Sequence, residues 1–401
     1  MKSDGKLVIT KKNGYIITAM CEGDKLAEVS FEPSNETSIL NNIYIAKVKN
    51  IVKNINAAFL EISDGILCYY SLLENKHHNF LNLKKNQTIA VGDELLVQIS
   101  KEAIKKKAPT ATSNINLTGK YIVLTSANKN IGISNKIEKS EDRKRLKHMM
   151  EECKDEKYGV IVRTNAAHAP CEALKKELLV LSEQMEKLFE RAKYLTCFSC
   201  IYKTPAAYLM DIRDQNEQQL EKILTDDAFI YDELKKHLMI YQPMDLKKLE
   251  FYETENISLW TLYGLEKQIR EALSEKVWLK SGSYLIIQPT EAMVVIDVNT
   301  GKSIGKKQSG KHFFRVNMEA AAEIARQLRL RNLSGIIVVD FIDMEEEESK
   351  DTLLKEFHLL LKQDRIKTDL VDMTKLGLVE ITRKKVKKPI YEQISCIEQI
   401  L

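Results

Sequence analysis

Two short apolar runs decide how this chain is read. The first is Ala292-Met293-Val294-Val295-Ile296-Asp297-Val298-Asn299, and the second is Gly335-Ile336-Ile337-Val338-Val339-Asp340-Phe341-Ile342-Asp343. Both have strand length and β-branched content, and each delivers an Asp near its carboxyl end. Between them, E-A-A-A-E-I-A-R-Q-L-R-L-R (Glu319 to Arg331) has helical periodicity, so strand–helix–strand is the economical reading. Adjacent strands would then bring together two carboxylates that are 43 residues apart in sequence. Like charges at close range repel, and a divalent cation between them turns the repulsion into a binding site. The competing reading is local: an Asp at a strand end also caps helices and starts turns.

Working outward, the run I-D-V-N-T-G-K (Ile296 to Lys302) comes before N-M-E-A-A-A-E-I-A-R-Q-L-R-L-R-N-L-S-G-I-I-V-V-D-F-I-D-M (Asn317 to Met344). Together they resemble the catalytic core of the ribonuclease E/G family. The similarity continues through Gln363-Asp364-Arg365 and L-G-L-V-E-I-T-R (Leu376 to Arg383), and more weakly back to the N-terminus. In that family Asp297 and Asp340 match metal-binding aspartates, and Asn299 matches the asparagine that orients the reacting phosphate. Lys367 falls where the family can carry an arginine near the site; the charge is kept but the fork geometry is lost. The resemblance implies Mg2+, with Mn2+ as the alternative ion, and hydrolysis of single-stranded RNA to 5′-phosphate and 3′-hydroxyl ends. Asp343 reads as a neighbour of the site, and Glu345 to Glu348 as the first turn of the next helix, where carboxylates suit the dipole.

Composition sets bounds without naming a function. The 401 residues allow two to four domains, and 44% apolar with 29% charged residues is ordinary for a globular chain. A net charge of +4 hides local runs at Lys101 to Lys107 and Arg383 to Lys388, which by themselves read as solvated faces. No signal peptide and no run of about 18 apolar residues is visible. Seven cysteines in such a chain are expected to be reduced thiols in the cytoplasm.

Residues 42–113 read as short strands with turns at Asp64-Gly65 and Gly92-Asp93, which fits a five-stranded oligonucleotide-binding barrel. The resemblance makes this an S1 RNA-binding domain, with Phe59 and Tyr69 as RNA-contacting aromatics and Lys107 lining the RNA channel. An exposed ring offers a base about 1–3 kcal/mol of stacking. The competing reading makes both rings barrel core. Further on, Val162-Arg163-Thr164 coincides with the family's 5′-phosphate sensor, and Arg163 stands 134 residues before Asp297, as the family interval requires. A guanidinium grips a terminal phosphate bidentately, and a threonine hydroxyl completes the cup. Gly119 and Val123 fall at family positions beside that pocket. Asn135 stands where the family often has a basic residue. The helix Glu172 to Ala192 carries an apolar stripe, Leu174, Leu178, Leu181, Met185 and Leu188, which reads as core or as a partner surface.

The resemblance thus implies an α+β multidomain fold. Residues 1–37 and 204–274 form a ribonuclease-H-like subdomain. Inserted in it are the S1 domain at 38–113 and the 5′-sensor region at 114–203. A DNase-I-like α/β catalytic domain occupies 275–395. Family members continue into a C-P-x-C motif that shares zinc across a dimer; here a lone Cys396 stands near the end, which predicts neither a structural zinc nor a zinc-linked homodimer. Cys197 and Cys200 form the only C-x-x-C, without a second pair. The expected activity is a magnesium-dependent endoribonuclease preferring 5′-monophosphate ends. The alternative is an RNA-binding protein of the same fold that cleaves poorly or not at all.

Overall fold

The computed structural model describes residues 5–35, 38–81, 84, 88–103, 107–215, 220–253, 257–301 and 310–401. Residues 104–106 of the first basic run and Lys302 lie outside the described residues. The α+β chain divides into two compact units. One comprises residues 1–35, 214–236 and 245–401, the other 36–213 and 237–244.

The first unit holds a six-stranded sheet in the order Lys276–Trp278, Tyr284–Pro289, Met293–Asn299, Gly335–Asp340, Leu378–Arg383, Thr368–Met373. The strands Met293–Asn299 and Gly335–Asp340 run parallel and adjacent, joined by the helix Gly310–Leu330, as the sequence predicts. Parallel neighbours need such a crossover. The Asp297 strand alternates strictly: Val294, Ile296 and Val298 are buried, while Met293, Val295 and Asp297 are exposed. Its buried face meets Val316, Ala320, Ala321, Ile324 and Leu328 of the helix, joined by Leu353, Phe357 and Leu361 of the helix Glu347–Lys362. Alanines on the first helix let its backbone lie close to the sheet. Both helices share one core with a single face of the sheet, so the other face, which carries the aspartates, stays open.

The amino-terminal end of the Asp340 strand is pinned by a buried ion pair. Arg383 Nε donates to Asp364 Oδ2 at 2.7 Å, with the two side chains 2% and 4% exposed. Asp364 also accepts from Thr368 Oγ1 and the Ile366 N–H, and Arg383 Nη1 donates to Leu333 O and Asn332 Oδ1. Removing one partner strands a charge in the core, so Asp364→Ala should cost about 3–5 kcal/mol. Denaturant unfolding would read this directly. A loss below about 1 kcal/mol would show that the pair is solvated in the folded protein.

A second sheet in the same unit joins Gly5–Lys12, Tyr15–Glu22 and Lys25–Pro33 to Leu220–Thr225 and Leu249–Phe251. The hairpin between its first two strands turns at Asn13-Gly14, where φ is 46° and 82°. Segments far apart in sequence thus share one sheet, with Leu220–Thr225 parallel to Gly5–Lys12. This sheet is tied to the long helix by Arg329, whose guanidinium takes both oxygens of Glu22 at 2.6 and 3.1 Å.

The second unit contains a closed five-stranded barrel. Ile43–Val52, Ala57–Ser63, Ile66–Ser71, Thr110–Thr112 and Glu94–Lys101 pair in sequence around it, and the first and last also pair. A four-stranded sheet follows, made of Asn116–Thr118, Ile122–Thr125, Ile131–Ile133 and Gly159–Val162. The helix Cys171–Ala192 turns its whole apolar stripe into the core beside that sheet. Leu174 and Met185 are fully buried, so the stripe is core, not a partner surface. Cys200 begins the strand Cys200–Tyr202 and Cys197 lies in the turn before it; burial pushes both thiols up. Among the described residues, no helix is long and apolar enough to cross a membrane.

Candidate active site and phosphate sensor

Asp297 and Asp340 are direct partners in the parallel ladder. Adjacent strands lie about 4.8 Å apart, so the two exposed carboxylates leave the same face of the sheet side by side. Asn299, two residues on, shares that face, and its Nδ2 donates to Asp297 Oδ2 at 2.6 Å. Partial burial, then the charges of Asp297 and Asp343, hold the Asp340 carboxyl above the usual carboxylate range. A cation beside these carboxylates would offset the share of that rise that comes from the neighbouring charges. Among the described residues, no group of three or more His, Cys, Asp or Glu side chains is placed to hold a metal. Two strand-end carboxylates are nonetheless a sufficient protein contribution for Mg2+, which keeps most of its waters.

Three residues outside the predicted set shape this site. Asn317, fully buried on the long helix, donates from Nδ2 to Ile342 O at 2.7 Å and accepts from the Ile342 N–H at 3.1 Å. The loop leaving Asp340 is thereby fixed from below. Glu319, on the same helix, accepts the Lys280 N–H at 2.6 Å and holds the turn between the first two strands of the sheet. Gly301 lies two residues past Asn299 at φ 64°, where an added Cβ would collide with Gly282 O. Asn317→Ala leaves the Ile342 amide and carbonyl unpartnered. It should reduce cleavage about tenfold or more while Asp297 and Asp340 remain. Unchanged kcat/KM in a folded Asn317→Ala protein would show that the loop holds itself.

Lys367 is not brought to this site. Thr368 pairs with Arg383, which pairs with Gly335, whereas Asp340 pairs with Leu378. Lys367 therefore sits at the opposite end of the sheet, five residues or about 16 Å along the strands, ion-paired to Asp369 at 3.1 Å. The turn that does lie at the Asp340 end, Thr374 to Gly377, carries the exposed Lys375.

In the barrel, Phe59 and Tyr69 are direct cross-strand partners, with ring centroids 6.2 Å apart edge to face. Both are half-buried and alternate with buried neighbours, Leu60 and Tyr70, so they lie on the outside of the barrel wall. Lys107 is exposed two residues before Pro109, whose carbonyl accepts the Tyr69 N–H.

The predicted sensor residues also converge. Arg163 Nη1 donates to Gly119 O at 2.6 Å, and the Arg163 N–H donates to Tyr121 O. Thr164 Oγ1 lies 3.0 Å from Ser134 Oγ, and Val123 pairs with Ile161 one strand away. At the centre is Glu177, which the sequence reading passed over. Its carboxylate accepts the N–H groups of Lys120, Tyr121 and Ile122 at 2.6, 2.8 and 2.9 Å. Burial raises the Glu177 carboxyl, opposed by those three amides and by the Arg163 charge. A Cβ at position 119 would run into that carboxylate, which is why glycine stands there.

Comparison with known proteins identifies the family. The Ribonuclease E/G family model matches residues 116–386. Ribonuclease G of Haemophilus influenzae is 34% identical over 390 residues, covering 95% of this chain and 79% of its own length. Ribonuclease G of Escherichia coli K12 is 33% identical with the same coverage. Ribonuclease E of Synechocystis is 30% identical over 96% of this chain and 58% of its own length. The chain belongs to the ribonuclease E/G family.

Proposed function

We propose that this protein is a magnesium-dependent endoribonuclease that hydrolyses single-stranded RNA, prefers 5′-monophosphate ends, and acts in RNA processing or decay. The observation that carries it is the in-register pair Asp297 and Asp340, with Asn299 bonded to one of them. These hard oxygen donors fit Mg2+, with Mn2+ as the alternative, and the bound ion supplies Lewis-acid polarisation of the scissile phosphodiester. Asn299 acts beside them. An amide nitrogen carries two hydrogens, so its bond to Asp297 leaves a second donor for a phosphate oxygen. Asn317 keeps the Asp340 loop in place, and the open sheet face admits an extended strand of RNA.

Phe59, Tyr69 and Lys107 are assigned to RNA binding, by stacking on bases and by phosphate contact. Gly119, Val123, Arg163 and Thr164 are assigned to the 5′ end. Domain limits follow the same reading. Residues 1–37 and 204–274 form a ribonuclease-H-like subdomain, supported by the sheet that joins strands from both segments. The barrel at 38–113 is an S1 domain, 114–203 the sensor, and 275–395 a DNase-I-like catalytic domain.

The test is incubation of the purified chain with a 5′-monophosphorylated single-stranded RNA, with and without Mg2+. Internal cleavage that requires the ion and leaves 5′-phosphate and 3′-hydroxyl ends is expected. RNA that binds yet stays intact with Mg2+ and with Mn2+ would reduce the protein to an RNA-binding member of the family.

A further inference from the structure

The open face of the catalytic sheet carries more than the aspartates. Trp278 keeps 62% of its surface exposed, whereas the chain's other tryptophan, Trp260, keeps 5%. Its ring meets that of Tyr284 edge to face at 5.3 Å, and Lys276 Nζ lies 4.0 and 3.7 Å from the two ring centroids. Exposed tryptophan is uncommon, and a cation held against an exposed indole and a half-buried phenol ring is a polar and stacking surface at once.

Register places this cluster. Trp278 pairs with Tyr284, and Tyr284 pairs with Asn299. Lys276 pairs with Ile286, Ile286 with Asp297, and Asp297 with Asp340. Direct antiparallel partners project from the same face, so the rings form one row with Asn299 and the lysine one row with the aspartates. The intervening Val277 and Leu285 turn the other way, into the core. Two strand spacings, about 10 Å, separate Trp278 from Asn299.

We propose that Trp278 and Tyr284, with Lys276 between them, form a stacking subsite for the base of a nucleotide flanking the scissile phosphate; this deepens the proposed reaction and rests on its placement at Asp297 and Asp340. The base stacks on the exposed indole, and Lys276 meets the adjoining phosphate. Every base has a π-face, so the subsite favours unpaired RNA over duplex more than it favours one base. Trp278 and Tyr284 belong to one compact unit, Phe59 and Tyr69 to the other.

The experiment uses the full chain and the emission of the exposed tryptophan. In EDTA, where no turnover occurs, a short single-stranded RNA should change Trp278 emission in the wild type and equally in Asp297→Asn. Trp278→Phe should abolish the emission change and keep binding. With Mg2+, Trp278→Ala should lower kcat/KM about tenfold on intact RNA. It should have little effect when the nucleotide beside the cleavage site is abasic. Equal slowing on both substrates, or an emission change that persists in Trp278→Phe, would overturn the subsite. Emission that shifts with protein concentration alone would assign the ring to a contact between copies and also overturn it. Cleavage without an emission change sinks the subsite and leaves the reaction standing. An emission change without cleavage sinks the reaction and leaves a binding surface.

Discussion

Asp297→Asn and Asp340→Asn should each reduce cleavage by about a thousandfold or more, equivalent to the several kcal/mol that metal polarisation contributes at a transition state. RNA affinity should remain close to that of the wild type, because the side chains assigned to RNA binding, in the barrel, the sensor and the Trp278 subsite, are left unchanged. The two substitutions are nearly isosteric, and both side chains are exposed, so neither disturbs the core. Asp340 also predicts a pH effect. Its carboxyl is held above the ordinary range, so protonation begins at a higher pH than for a free Asp. Activity at limiting Mg2+ should therefore fall as pH drops through that raised value, and extra Mg2+ should restore it. Gel-based cleavage rates at several pH values and Mg2+ concentrations would check this. Wild-type turnover by either single mutant would refute the metal assignment.

The strand–helix–strand unit and its paired aspartates were legible because the signals are local and repetitive. β-branched runs of strand length and an alanine-rich helix leave few alternatives, and adjacency of the two strands then puts the carboxylates in register. The barrel was legible for the same reason, through short strands and Gly-containing turns. Glu177 was not. In C-E-A-L-K-K-E-L-L it looks like one more charge on the wet side of a helix, and only folding reveals three amide donors converging on it. Asn317 hides likewise beside charged and apolar neighbours until its amide is seen to hold Ile342. Lys367 failed for a different reason. A position along the chain says nothing about which end of the sheet a strand enters, and Thr368–Met373 enters at the end away from Asp340. Trp278 was overlooked because a single aromatic in a short strand resembles core until its exposure is known.

Arg163→Ala should slow cleavage of 5′-monophosphorylated RNA by about ten- to a hundredfold, from the roughly 1.5–3 kcal/mol of one lost charge-assisted phosphate contact. RNA bearing a 5′-hydroxyl should be cut at nearly the original rate. The structure makes this a sharper test than sequence alone allows, because Arg163 also holds Gly119 O and faces the buried Glu177. If it served only to keep that loop in shape, both substrates would suffer equally. Glu177→Gln separates the two roles. The amide keeps one oxygen to accept from the Tyr121 and Ile122 N–H groups and gives up the acceptor of the Lys120 N–H, and it removes the negative charge facing Arg163, so a guanidinium engaged by phosphate loses an internal competitor. The expected result is that Glu177→Gln preserves or improves discrimination between the two 5′ ends, whereas Arg163→Ala abolishes it. Rates on the matched pair of substrates, measured for both variants, decide the matter. Loss of discrimination in both, with slowing on the 5′-hydroxyl RNA as well, would make this cluster a structural clasp and move phosphate sensing elsewhere in the chain.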